Sequence, residues 1–207
     1  NNVSDAFMDY VNYSLDNNDR INLNKTLYDS AKEYVQDKHY FRLNENKDFD
    51  WEVYEQSKKN LRESIKNLKE DSIQIAQDCL SLLKEKNLQP DDFSRASGGT
   101  IGKFFENVLN HFFNKDKFPF PADEEAVQEN YRKGASSKSK NRQAEILEIL
   151  DYLIDSRQKI ISNYILSKKK EKILQAILPL KVNKEIQDKL AEIEEENDLV
   201  LLSKFNV

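Results

Sequence analysis

Arg132, Lys133, Lys138, Lys140 and Arg142 place five cations in eleven residues, RKGASSKSKNR, without one acid between them. Gly134, Ser136, Ser137 and Ser139 are interleaved with them. Side chains of this kind contact nucleic-acid phosphates, and small residues let backbone amides approach the same oxygens, so binding would weaken with salt. Lys168, Lys169 and Lys170 add a second cluster downstream. Residues 132 to 172 carry eleven basic and five acidic side chains, a local +6 inside a chain of net charge -5. A solvated turn between helices would produce the same composition, and both readings stand at this level.

Other arrangements hold less chemistry. Ser97-Gly98-Gly99-Thr100-Ile101-Gly102-Lys103-Phe104 resembles a phosphate loop in outline. It lacks the first glycine, where Ser97 stands, and the magnesium-binding hydroxyl, where Phe104 stands. No apolar strand precedes it, so a flexible turn into a helix is expected. His39 and His111 have no partner at metal-ligand spacing, and Cys79 falls at an apolar heptad position. With no histidine or cationic flank near it, catalytic thiol chemistry is not expected there. The carboxylates, including the run Glu194-Glu195-Glu196, follow the solvent faces of helices. No catalytic, cofactor-binding or metal-binding residue is assigned.

The elements that must position these residues are helical. Ala6, Met8, Tyr10, Val11 and Leu15 fit a first helix capped by Ser4, and Leu27, Ala31, Tyr34 and Val35 a second over about 23 to 38. Tyr54, Lys58, Leu61, Ile65, Leu68, Ser72, Ile75, Cys79 and Leu82 then alternate steps of four and three, a heptad seam on one helix over about 50 to 86. At 1.5 Å per residue such a helix is on the order of 55 Å long. Ile146, Leu150, Leu153, Arg157, Ile160, Tyr164, Ser167, Glu171, Leu174 and Leu178 repeat the alternation. This predicts a second long helix over about 140 to 178, stopped by Pro179. An aromatic helix near 100 to 114 and a short acidic one near 123 to 131 lie between them, and Val182, Ile186, Leu190 and Ile193 fit a last helix. Leu199 to Leu202 is β-like with no partner strand. The expected fold is all-α: an elongated bundle in which two long antiparallel helices form an arm, with shorter helices packed on it.

Composition agrees. The 207 residues are 33% charged and 38% hydrophobic, with 4 Gly, 4 Pro and 1 Cys, too few glycines and buried apolar runs for a parallel α/β enzyme. No apolar stretch is long enough for a membrane span, no signal peptide is visible, and a lone cysteine forms no internal disulfide, so the expected setting is cytoplasmic with no membrane partner. A single domain is expected from the length. The sequence begins without Met and stops just beyond an apolar run, so a piece excised from a longer protein is expected.

The sequence quotes a further pattern. Leu27-Tyr28-Asp29-Ser30-Ala31-Lys32-Glu33-Tyr34 precedes the first long helix. Leu88-Gln89-Pro90-Asp91-Asp92-Phe93 leads to Gly98-Gly99, and the chain returns through Glu194-Glu195-Glu196-Asn197-Asp198-Leu199-Val200-Leu201-Leu202-Ser203-Lys204-Phe205-Asn206. In this order of features it resembles the helical region inserted in the first motor domain of RecB/AddA-like, UvrD-type superfamily 1 helicases, especially the large helicase–nuclease-like proteins of Bacteroidetes-type bacteria. The resemblance implies a 1B-type subdomain in which 199–207 lead back into the motor domain. It carries no Walker A sequence, acidic DExx-type box or arginine finger, so ATP and Mg belong only to the parent motor domains, and the fragment itself is no enzyme. The implied role is to position duplex DNA, or to dock a partner subunit, within an ATP-dependent helicase of DNA repair or recombination. The alternative is a helical protein-interaction or scaffold module that does not touch nucleic acid.

Overall fold

A computed structural model describes residues 5–16, 25, 28–29, 50–111 and 123–197. Along the chain these form α1 (Asp5–Asp16), α2 (Trp51–Glu85), a 3₁₀ turn at Pro90–Asp92, the strands β1 (Arg95–Ala96) and β2 (Gly99–Thr100), α3 (Ile101–His111), α4 (Glu124–Tyr131), a 3₁₀ turn at Lys140–Arg142, and α5 (Gln143–Glu196). The fold is all-α, with one two-residue hairpin. Of the second expected helix only Lys25, Tyr28 and Asp29 are described, and they are helical and exposed. The Ser4 cap, the segment 112–122 and the return segment 199–207 lie outside the described residues. Two compact units result: Asn1–Arg62 with Glu171–Val207, and Glu63–Lys170.

In the Glu63–Lys170 unit, α2 and α5 run antiparallel. Asn163 on α5 donates to Asp71 Oδ2 at 2.7 Å and to Ser72 Oγ at 3.2 Å, and Lys86 meets Glu148 at 3.0 Å. Ala76, Cys79 and Leu83 from α2 join Ile146, Leu150, Leu153 and Ile160 from α5 in one apolar core. Every expected seam position of α5 up to Ser167 is buried. On α2 the seam drifts, with Leu83 at 2% exposure taking the place expected for half-buried Leu82. A straight helix of 3.6 residues per turn falls out of step with a seven-residue repeat by about 20° per heptad, which accounts for the shift.

The start of α2 is fixed by Asp50, whose Oδ1 accepts the Glu52 and Val53 N–H groups at 2.9 and 3.0 Å, satisfying donors that a first turn leaves open. Its end is a Schellman motif. Asn87 sits at φ 52, Asn87 N–H bonds Lys84 O at 3.0 Å, Leu88 N–H bonds Leu83 O at 2.8 Å, and buried Leu88 and Leu83 belong to the same core.

In the other unit, α1 is tied to α2 through Lys58, which is 7% exposed and meets Asp9 Oδ2 at 2.6 Å and Glu55 Oε2 at 2.7 Å. The expected stop at Pro179 is corrected here, since α5 continues through it to Glu196. Proline removes one helical hydrogen bond and crowds the preceding turn, at a cost of about 3 kcal/mol. Leu174, Leu178 and Val182, 2%, 1% and 6% exposed, keep the buried stripe in step across it. At about 1.5 to 3 kcal/mol for each buried aliphatic side chain, that stripe outweighs the local penalty.

Candidate nucleic-acid interface

Between α4 and α5 the basic segment is folded tightly onto the chain that leaves α2. Gly134 stands at φ 77, where a side chain would be strained, and a Cβ there would lie 2.6 Å from Gln143 Nε2. The Gln143 amide closes the turn, accepting Ala135 N–H at 2.8 Å and donating to Lys133 O at 3.1 Å. Across the gap Ser94 N–H bonds Gly134 O at 2.7 Å, Ser136 N–H bonds Asp92 O at 2.7 Å, and Phe93 pairs with Ala135 as an isolated bridge. Asp92 acts as the peg. It accepts Ser139 Oγ–H at 2.5 Å and Gln89 N–H at 2.7 Å. Burial works to raise its carboxyl, but these hydrogen bonds and the charge of Arg142 prevail and hold it below the usual range.

This scaffold divides the five expected cations by role. Lys138 and Lys140 are exposed and have no hydrogen-bond or ion-pair partner among the described residues. Lys133, also exposed, rests its ammonium on Asn130 Oδ1 at 2.6 Å. Arg132 is exposed beside Asp151 at 3.1 Å, a surface pair of the kind worth about 0 to 1 kcal/mol and easily exchanged for a phosphate. Arg142 is occupied differently. Its Nη1 donates to Asn87 O and its Nη2 to Lys86 O, both at 2.6 Å, while Nε and Nη2 engage Glu145 Oε2 at 3.1 and 2.5 Å. It holds the two carbonyls just past the end of α2 and has little left for a ligand.

Lys168, Lys169 and Lys170 belong to another place. Lys168 is 25 residues beyond Gln143 on α5, roughly 38 Å at 1.5 Å per residue. There Lys168 lies over the Tyr164 ring at 5.6 Å, Lys169 is exposed and Lys170 half-buried. The two clusters do not form one site.

The fold adds a cation that local spacing does not mark. Arg95 on β1 is exposed and without a partner among the described residues, and it follows Ser94, which is bonded to the basic segment. The pairing of residues 92–94 with 134–136 brings it beside Gly134, so nothing in its neighbours along the chain points to it.

The remaining singled-out groups are structural. Cys79 is fully buried, and burial pushes its thiol up to about 11. Phe105 is core, and Phe104 packs edge-to-face on it at 5.5 Å. Phe112 and Phe113, in the last part of the aromatic helix expected near 100 to 114, lie outside the described residues. Arg157, 3% exposed, forms a bidentate pair with Glu124 at the start of α4 and stacks over Phe104 and Tyr131 at 5.0 and 5.4 Å. Among the described residues no group of three His, Cys, Asp or Glu could hold a metal ion, and no helix is long and apolar enough to cross a membrane. Compared with known proteins, the chain matches no family model, no curated protein and no solved structure.

Proposed function

We propose that this chain is a non-catalytic, nucleic-acid-contacting helical module, the accessory 1B-type subdomain of an ATP-dependent DNA helicase, which positions duplex DNA through its phosphates. The observation that carries the DNA contact is the state of the basic segment: its backbone is pinned by Asp92, Gln143 and Ser94 while Lys138 and Lys140 are unengaged in solvent. These bonds hold the segment in one conformation, and a pre-ordered cationic segment loses little side-chain and loop entropy on binding. The resemblance of the segments around Leu27, Leu88 and Glu194 supplies the parent. ATP and Mg belong to the motor domains of that parent, and this module supplies position. Titrating the chain into a forked duplex at two salt concentrations tests it. Binding that falls with salt and with Ala at Arg132, Lys133, Lys138 and Lys140 supports the proposal, and binding indifferent to either refutes it.

A second reading, a module that docks a partner subunit, is favoured by Leu147, Ile165 and Leu166 on α5, each 45% exposed. Light scattering of the chain with Lys at Ile165 and Leu166 tests it: a loss of self-association supports docking through this face, and an unchanged monomer opposes it.

A further inference from the structure

We infer that the cleft between the β1–β2 hairpin and the first turn of α3 is a phosphate subsite for the same nucleic-acid strand, an inference that rests on the basic segment being a backbone-phosphate surface. The cleft has a volume of about 360 Å³ and is lined by Arg95, Gly98, Gly99, Thr100, Lys103 and Asp91, with Asn107 one turn further along α3. That is the small end of the range for ligand pockets, about 300 to 1,000 Å³.

Its chemistry selects a phosphoryl anion. The Arg95 guanidinium has no partner among the described residues, and its planar fork matches two phosphate oxygens. Lys103 is ion-paired with Asp91 at 3.8 Å and with Glu106 at 3.6 Å, exposed pairs of about 0 to 1 kcal/mol that a phosphate can displace. Gly98 and Gly99, at φ 92 and 111, leave the backbone bare, and a Cβ at Gly98 would meet nothing within 4 Å. The lining itself holds two cations and one carboxylate, Asp91, with Glu106 beside Lys103 just outside it. That single carboxylate also argues against a divalent cation as the occupant.

A nucleoside triphosphate fits poorly. Phe104 occupies the place of a magnesium-binding hydroxyl and packs on Phe105. The Thr100 hydroxyl is committed to Pro90 O at 2.5 Å. A phosphodiester or a terminal phosphate needs neither group. The Ser94 N–H to Gly134 O bond joins the rim residue Arg95 to the basic segment, so one strand can touch both.

Amide NMR of the 207-residue chain with three probes tests this: inorganic phosphate, a ten-nucleotide oligothymidylate, and the same strand with a 5′-phosphate. The Gly98 and Gly99 amides should shift with both strands. Equal shifts assign the pocket to internal phosphodiesters, and a larger shift with the 5′-phosphate assigns it to strand ends. Arg95→Ala should abolish these shifts and weaken binding on the order of tenfold, with Arg95→Lys recovering part. An exposed side chain without partners can be replaced without unfolding, which circular dichroism checks. Shifts at Lys138 and Lys140 without shifts at Gly98 and Gly99 would overturn the pocket and leave the basic surface standing. Shifts at Gly98 and Gly99 alone would sustain the pocket and remove the basic segment from the proposal, and silence with every probe would remove both.

Discussion

Arg142 separates a structural cation from a binding one, and replacing it with Ala should unfold the Glu63–Lys170 unit more readily while leaving the outward lysines in place. The side chain donates to Lys86 O and Asn87 O at 2.6 Å each, the two carbonyls just past the end of α2 that no helical N–H can reach. A hydrogen bond from a charged donor contributes about 1.5 to 3 kcal/mol when buried. The Arg142 side chain is 24% exposed, so water replaces part of that, and its surface pair with Glu145 adds little. A loss of about 2 kcal/mol follows, equivalent to a fall in Tm of about 8 °C or more for a unit of this size. Lys should not rescue it, since an ammonium does not reproduce the planar fork that spans two carbonyls. Thermal melts followed by circular dichroism would measure both, beside Lys138→Ala/Lys140→Ala as a control expected within about 0.5 kcal/mol of wild type. A melt of Arg142→Ala superimposable on wild type, or a control equally destabilised, would refute the division of roles.

Gly102→Ala should destabilise by about 2 kcal/mol in urea titrations despite the better helix propensity of Ala, because the new Cβ would stand 2.5 Å from Pro90 Cα. Glu124→Ala should cost about 2 to 3 kcal/mol by leaving 3%-exposed Arg157 with no carboxylate, discounted from a fully buried pair because Glu124 is partly solvated; a change under about 0.5 kcal/mol in the same assay would refute a stabilising role for the pair. Asp92 gives a pH signature. Its folded pKa lies below the ordinary 3.8, so its contribution is complete well above that value and is lost as pH falls through the lower folded value. Asp92→Asn should therefore flatten the loss of Tm on acidification below about pH 4, and an unchanged acid limb would contradict this.

The long helices were legible because burial on two facing stripes imposes a step of four and three that survives even where Lys58, Ser72, Arg157 and Ser167 occupy the stripe. Lys58 and Arg157 are buried because Asp9 and Glu124 arrive from other helices, long-range pairings that local spacing does not encode. Pro179 misled for the converse reason, a strong local signal overridden by the tertiary burial of Leu174, Leu178 and Val182. Gly102 was visible as a glycine of a failed phosphate loop, yet its use is the close approach of Pro90. In the basic segment, composition marked the cations but not their division: Arg142 looks like its neighbours in sequence, and only the position of the Lys86 and Asn87 carbonyls beyond α2 sets it apart. Arg95 left no signal at all, since a backbone pairing across forty residues of chain brings it near Gly134.

The most direct measurement is the affinity for a forked DNA duplex, by fluorescence anisotropy, at about 50 and 200 mM salt. With Arg132, Lys133, Lys138 and Lys140 each on a phosphate, the slope of log K against log salt approaches about -3.6, and affinity falls by about 10²-fold over that range. The chain with all four replaced by Ala should lose this slope and most of its binding while melting as wild type does. Tight binding that persists in that variant, or no binding of the wild-type chain at the lower salt, would contradict the account.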